Sequence, residues 1–141
     1  MKIGIVSGYF NPLHAGHIDY INEAKKHCIY LIAIINNDDQ VKIKGSREFM
    51  DEKHRQKIVK NIKNINETII SIDSGKNVAH TLKLLREKYP HSEMSFFNDG
   101  DRQKGNLISE ESKVCKENNI KEVVLNQQKV YSSSELKSKL I

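Results

Sequence analysis

Apolar runs and helical periods alternate along the chain. Residues 3–6 form a short apolar run of strand length, and Ile18, Ile21 and Ala24 then recur at helical spacing through residues 15–27. Residues 29–35 are almost unbroken in apolar character, as a parallel strand covered on both faces requires, and Asn36, Asn37, Asp38 and Asp39 end the run. Residues 42–49 show no period and are expected to form a loop over the carboxyl edge of a sheet. Asp51 is an expected N-cap for a helix running to about residue 63, with Ile58, Val59 and Ile62 facing inward. A third strand is predicted at 68–72, a helix at 78–88 with Leu82 and Leu85 inside, and a fourth strand at 94–97. A helix at 110–118, a fifth strand at 122–125 and a short helix at 134–140, capped by Ser132 or Ser133, complete the pattern.

Strand and helix alternating in this way call for an α/β protein with a doubly wound parallel sheet. Right-handed crossovers place helices on both faces, and ligands enter where the strand order reverses at the strands' carboxyl ends. Five strands in the order 3-2-1-4-5 are expected, within one domain spanning residues 1–141. Loops after the first, second, fourth and fifth strands then converge on one crevice, so residues far apart in sequence can meet there.

The segment with most chemistry lies between the first strand and the first helix. His14 and His17 are three apart, so both rings fall on one face at the helix start. That end presents unpaired N–H groups and about half a positive charge, both favourable to an anion. Gly8 permits a sharp exit from the strand, and Gly16 lets a bulky ligand approach the first turn. Imidazoles placed there can donate to phosphate oxygens or meet charge growing on a departing pyrophosphate. A zinc site is the competing use of such a pair, but no Cys or third His lies nearby in sequence to complete the ligand set.

The run Gly8-Tyr-Phe-Asn-Pro-Leu-His-Ala-Gly-His17 resembles the G-x-F-[DN]-x-x-H-x-G-H element of the cytidylyltransferase-like nucleotidyltransferases. That family includes glycerol-3-phosphate and ethanolamine-phosphate cytidylyltransferases, and heptose-phosphate and pantetheine-phosphate adenylyltransferases. The resemblance implies a Rossmann-like fold in which His14 and His17 contact the triphosphate, with Gly8, Tyr9, Phe10 and Gly16 lining the nucleotide. Lys44-Gly-Ser-Arg47, followed by Phe49 through Arg55, is similar to a second family segment; Lys44 and Arg55 are expected to hold phosphates, Arg55 by facing the crevice from a helix's first turns. Phe97-Asn-Asp-Gly-Asp-Arg102 matches a third, which gives Asp99, Asp101 and Arg102 roles in binding. Asn-Asp-Gly is also ordinary turn chemistry. Val130-Tyr-Ser-Ser-Ser resembles the last, with Ser132 and Ser133 as phosphate contacts. The chain departs from the glycerol-phosphate branch at Gln127, where an arginine is expected; Lys129 is one replacement, and the heptose-phosphate branch also lacks that arginine.

The implied reaction is in-line attack by an acceptor's phosphate oxygen on the α-phosphorus of a nucleoside triphosphate, with no covalent enzyme intermediate. Transfer of CMP from CTP to a small polyol or sugar phosphate is the leading expectation. Adenylyl transfer to a sugar 1-phosphate is the alternative, and a non-catalytic nucleotide-binding module a third. Mg²⁺ is expected to accompany the triphosphate, with Asp99 or Asp101 as helpers and no dedicated protein metal site.

Composition narrows the partners. The 141 residues carry a net charge of +5, but lysines are interspersed with glutamates and only nine residues are aromatic, which fits an anionic small substrate and disfavours nucleic acid. No 18-residue apolar run exists, so no membrane span is expected and a cytoplasmic location is. Cys28 and Cys115 make no metal or disulfide framework and read as small hydrophobes. By resemblance, residues 62–68 match a region near the contact of homodimeric relatives, so a homodimer is expected.

Overall fold

A computed structural model of the protein describes residues 1–45, 50–99 and 109–125. In chain order the elements are β1 (Lys2–Gly8), α1 (Ala15–Lys25), β2 (Tyr30–Ile35), α2 (Asp38–Ile43), α3 (Glu52–Lys60), β3 (Glu67–Ile70), α4 (Ala79–Lys88), β4 (Glu93–Asn98), α5 (Glu110–Glu117) and β5 (Ile120–Val124). The five strands form one sheet in the order β3-β2-β1-β4-β5, every pair parallel, as the alternation of elements requires.

Alternate residues of β2 explain why its sequence is apolar throughout. Leu31, Ala33 and Ile35 enter one core with Ile21 and Ala24 of α1 and Val59 of α3. Ile32 and Ile34 enter the other, with Leu82 and Leu85 of α4 and Cys115 of α5. Two helical layers therefore clamp the sheet, and each large aliphatic side chain so enclosed contributes about 1.5–3 kcal/mol of burial. The carboxyl ends of the strands are left to the loops that carry the candidate chemistry.

One element departs from the sequence reading. Residues 38–43, assigned to a strand terminator and a loop, form α2. The Asn37 side chain accepts from the Gln40 N–H, and the Gln40 Oε1 accepts from the Asn37 N–H, a reciprocal cap that starts the helix. Gly45, at φ +81, ends it in the left-handed conformation that glycine adopts without strain. Six residues are too few for a hydrophobic period to register. Asp51 caps α3 as expected, accepting from His54 N–H at 2.8 Å.

At the opposite end of the sheet Glu67 ties three elements together. Its carboxylate accepts from Tyr30 Oη at 2.7 Å, from Lys88 Nζ at 2.8 Å and from the Tyr89 hydroxyl. Burial alone raises the carboxyl's pKa, but the hydrogen bonds from Lys88 and the two tyrosines outweigh it and leave it below the usual value of 4.5. Tyr30, through burial and then Glu67, is pushed above its ordinary value, and Tyr89 is raised first by its bond to Glu67. Because Glu67 is lowered on folding, its contribution is present above the unfolded carboxyl's pKa and is lost as pH falls below about 4.5. Glu67→Gln is expected to lower stability at pH 7 by roughly 1–2 kcal/mol in urea unfolding. The difference from wild type should shrink on acidification below that pH; a difference that is constant with pH contradicts the assignment.

Candidate active site

β1 leaves the sheet at Gly8. A Cβ there would meet the Phe10 ring at 3.0 Å, so the glycine makes room for a close aromatic neighbour. The left-handed backbone of the turn falls on Phe10, whose φ is +51, and the Asn11–Pro12 bond that follows is cis. Phe10 is buried, and its ring centroid lies 4.9 Å from that of His17.

His14 is the N-cap of α1, with extended backbone. Its Nδ1 accepts from the Gly16 N–H at 3.0 Å, while the His17 Nδ1 accepts from the His14 N–H at 3.1 Å. This is a capping box in which both side-chain acceptors are imidazole nitrogens. The ring centroids are 3.9 Å apart at 34°. Accepting through Nδ1 requires that nitrogen to be unprotonated, so each neutral ring carries its proton on Nε2. Two Nε2–H donors are thereby set side by side at the positive end of a helix whose first turn has no acidic residue. Such an arrangement can hold phosphate oxygens and offset charge that builds on them.

Arg55 does not face the crevice. Its side chain is fully buried, and all three guanidinium nitrogens donate inward: Nε to Met50 O at 3.0 Å, Nη1 to Tyr9 O at 2.9 Å and Asn36 O at 2.6 Å, and Nη2 to Asp38 Oδ1 at 2.8 Å. The expected phosphate contact is corrected to a strut that ties the β1–α1 turn, the end of β2 and the start of α2 to α3. Glu52 adds to it by accepting from the Asp38 N–H at 2.9 Å.

Lys44 caps the end of α2, and its Nζ lies 4.3 Å from the centroid of the Tyr9 ring. A cation–π contact thus brings an ammonium to the loop that carries the imidazoles. Asp99 follows directly on β4 at the same edge and is half-buried. Asp101, Arg102, Ser132 and Ser133 lie outside the described residues, as do Arg47, Gln127 and Lys129.

Sequence reasoning missed the residues that frame this edge. Gln40, fully buried, donates from Nε2 to Gly75 O at 2.7 Å and Asn77 O at 2.8 Å, and Asn37 Nδ2 donates to Ser71 O and Asp73 O. The loop after β3 is thereby fastened to the end of β2. Asp73 in turn accepts from the His80 and Thr81 N–H groups at the head of α4. The one signal in the sequence was the Asn37-x-x-Gln40 spacing. The cysteines take no part: burial raises the Cys28 thiol and, with Glu122 and Glu111 adding to it, pushes Cys115 up to about 12.

A parallel sheet that reverses order at β1, with a helix start on its carboxyl edge that carries two imidazoles and no acidic residue in its first turn, is a doubly wound α/β architecture. The sequence profile of the cytidylyltransferase-like family matches residues 5–139, and the chain belongs to that family. It is 39% identical over 70 residues to an FAD synthase of Picrophilus torridus, covering 50% of each chain. It is 29% identical over 103 residues to a probable nicotinate-nucleotide adenylyltransferase of Syntrophotalea carbinolica, covering 68% of this chain and 47% of that one. These matches span about half the length of the curated relatives. A lipopolysaccharide core biosynthesis protein from Thermoplasma volcanium GSS1 shares the fold with a TM-score of 0.72 at 24% identity, over 91% of this chain and 98% of that one. Among the described residues, no helix is long and apolar enough to cross a membrane.

Arg55→Gln is expected to lower stability by roughly 3 kcal/mol in urea unfolding, because it leaves Asp38 and the buried carbonyls without their cation. Arg55→Lys should recover only part, since one ammonium cannot reach four acceptors from a single position. A change within about 0.5 kcal/mol, as for a surface cation, contradicts the strut.

Proposed function

We propose that this chain transfers the adenylyl group of ATP to the phosphate of a phosphorylated small molecule. An acceptor phosphate oxygen bonds to the α-phosphorus as the bond to the bridging oxygen breaks, and pyrophosphate leaves with that electron pair. Both reacting groups are already ionised, so no general base is required, and catalysis rests on position and charge. The observation that carries the reading is the pair of imidazoles locked with Nε2–H as donor at the start of α1. These donors need no reorganisation as negative charge grows on the phosphates, which is the condition for effective electrostatic stabilisation. Lys44, beside Tyr9, supplies positive charge to the same loop, and Arg55 acts through the backbone that it holds.

Adenine is favoured by the relatives' names: one is an adenylyltransferase and another a synthase of an adenine dinucleotide. Gln127, where the glycerol-phosphate branch carries arginine, favours it too. The second reading, cytidylyl transfer from CTP to a polyol or sugar phosphate, rests on the chain's resemblance to the glycerol-3-phosphate cytidylyltransferase branch of the family. Mg²⁺ enters either reading as the triphosphate's counter-ion, because that ion keeps several waters and leans on substrate phosphates. When bound, it screens the triphosphate's charge against the incoming acceptor.

The test is pyrophosphate release from the full chain with each of ATP, CTP, GTP and UTP, paired with sugar 1-phosphates, polyol phosphates, flavin mononucleotide and nicotinate mononucleotide. Release is expected with ATP and one acceptor class, and His14→Ala or His17→Ala should lower kcat by about a hundredfold or more. Release with CTP alone supports the second reading. Tight nucleotide binding with no pyrophosphate from any pair would overturn both readings and leave a binding module.

A further inference from the structure

The seam between β1 and β4 is where the strand order reverses, and it opens early. β1 stays paired with β2 as far as Gly8, opposite Ile35, but its pairing with β4 ends at Ile5, opposite Phe96. The phase of the β1–β4 ladder is fixed at its start, where the Glu93 N–H donates to Met1 O at 3.0 Å. Carried forward two residues at a time, that phase points the Ser7 N–H at the Phe97 carbonyl. The Tyr20 hydroxyl stands between them: it accepts from the Ser7 N–H at 3.4 Å and donates to Phe97 O at 2.5 Å. The next rung of the ladder is thus replaced by a phenol oxygen.

Tyr20 is buried and sits on α1, three residues beyond His17, so ring and imidazole belong to adjacent turns of one rigid element. Above the phenol, β1 runs through Ser7 and Gly8 into the turn that carries Phe10 and the two histidines. β4 runs through Asn98, whose carbonyl bonds Leu125 N–H, to Asp99. Both walls of the crevice therefore start from the two atoms that Tyr20 bridges.

We propose that the Tyr20 hydroxyl is a spacer that holds the β1–β4 seam open at its carboxyl end and so sets the width of the nucleotide crevice. Tyr20 is a positioning residue, and its effect on nucleotide rests on the function proposed above. Without the hydroxyl, the buried Ser7 N–H and Phe97 carbonyl have one way to satisfy each other, which is to pair directly and close the seam by one rung.

Tyr20→Phe tests this in the full chain, since the phenyl ring keeps its place in the core cluster that includes Val6 and Phe97. The KM for the triphosphate should rise by about fivefold or more while kcat stays within about twofold, because the width of the site changes and the imidazoles do not. Amide exchange at Ser7, measured without nucleotide, should slow by about tenfold as its N–H gains a carbonyl partner. Faster exchange at Ser7, or an unchanged KM, would overturn the spacer. If wild type releases no pyrophosphate with any triphosphate, the reading of function fails on its own. The exchange measurement, which needs no turnover, still decides whether the phenol holds the strands apart.

Discussion

Two hydrogen bonds at the head of α1 decide what this edge of the sheet presents to solvent. Most helix starts satisfy their first N–H groups with a hydroxyl or a carboxylate, and a carboxylate there repels phosphate. Here the acceptors are the Nδ1 atoms of His14 and His17. The same bonds that begin the helix fix the ring orientation, choose the tautomer and leave the helix start positive. Structure and candidate chemistry depend on the same four atoms.

That arrangement needs a rigid base, because the turn before it holds Phe10 in the left-handed region. Arg55 supplies much of it from beneath. A buried guanidinium is tolerated only when its donors are met, and three backbone carbonyls with the Asp38 carboxylate meet them. Gln40 and Asn37 do the same for the loop after β3. The carboxyl edge is thus cross-linked by polar side chains directed at backbone, which holds loops in place without relying on apolar packing.

The sheet was legible in the sequence because each strand's burial is written in its own residues. Residues 29–35 are apolar on both faces because helices cover both faces, and the parallel pairing of the strands follows from their alternation with helices wound by right-handed crossovers. The imidazole pair was legible because residues three apart at a helix start must share a face. The destination of Arg55 was not: spacing places it on the first turns of α3, but its partners come from residues 9, 36, 38 and 50, which only the tertiary fold brings near. Gly8 has a second role that spacing does not show, since a glycine after a strand reads as a bend and here also accommodates a ring from two residues on. The Tyr20 bridge was beyond reach as well, because at helical spacing a buried tyrosine looks like any other core residue.

The imidazole tautomers can be observed directly. Long-range ¹H–¹⁵N correlation spectra of the full chain, without nucleotide at neutral pH, report which nitrogen of each ring carries the proton. His14 and His17 should both appear as neutral Nε2–H tautomers, and their Nε2 and Hε2 signals should move on addition of a nucleoside triphosphate while Nδ1 remains an acceptor. Rings protonated at Nδ1, or Nε2 signals indifferent to saturating triphosphate, would contradict the claim that these two side chains are the anion donors of the site.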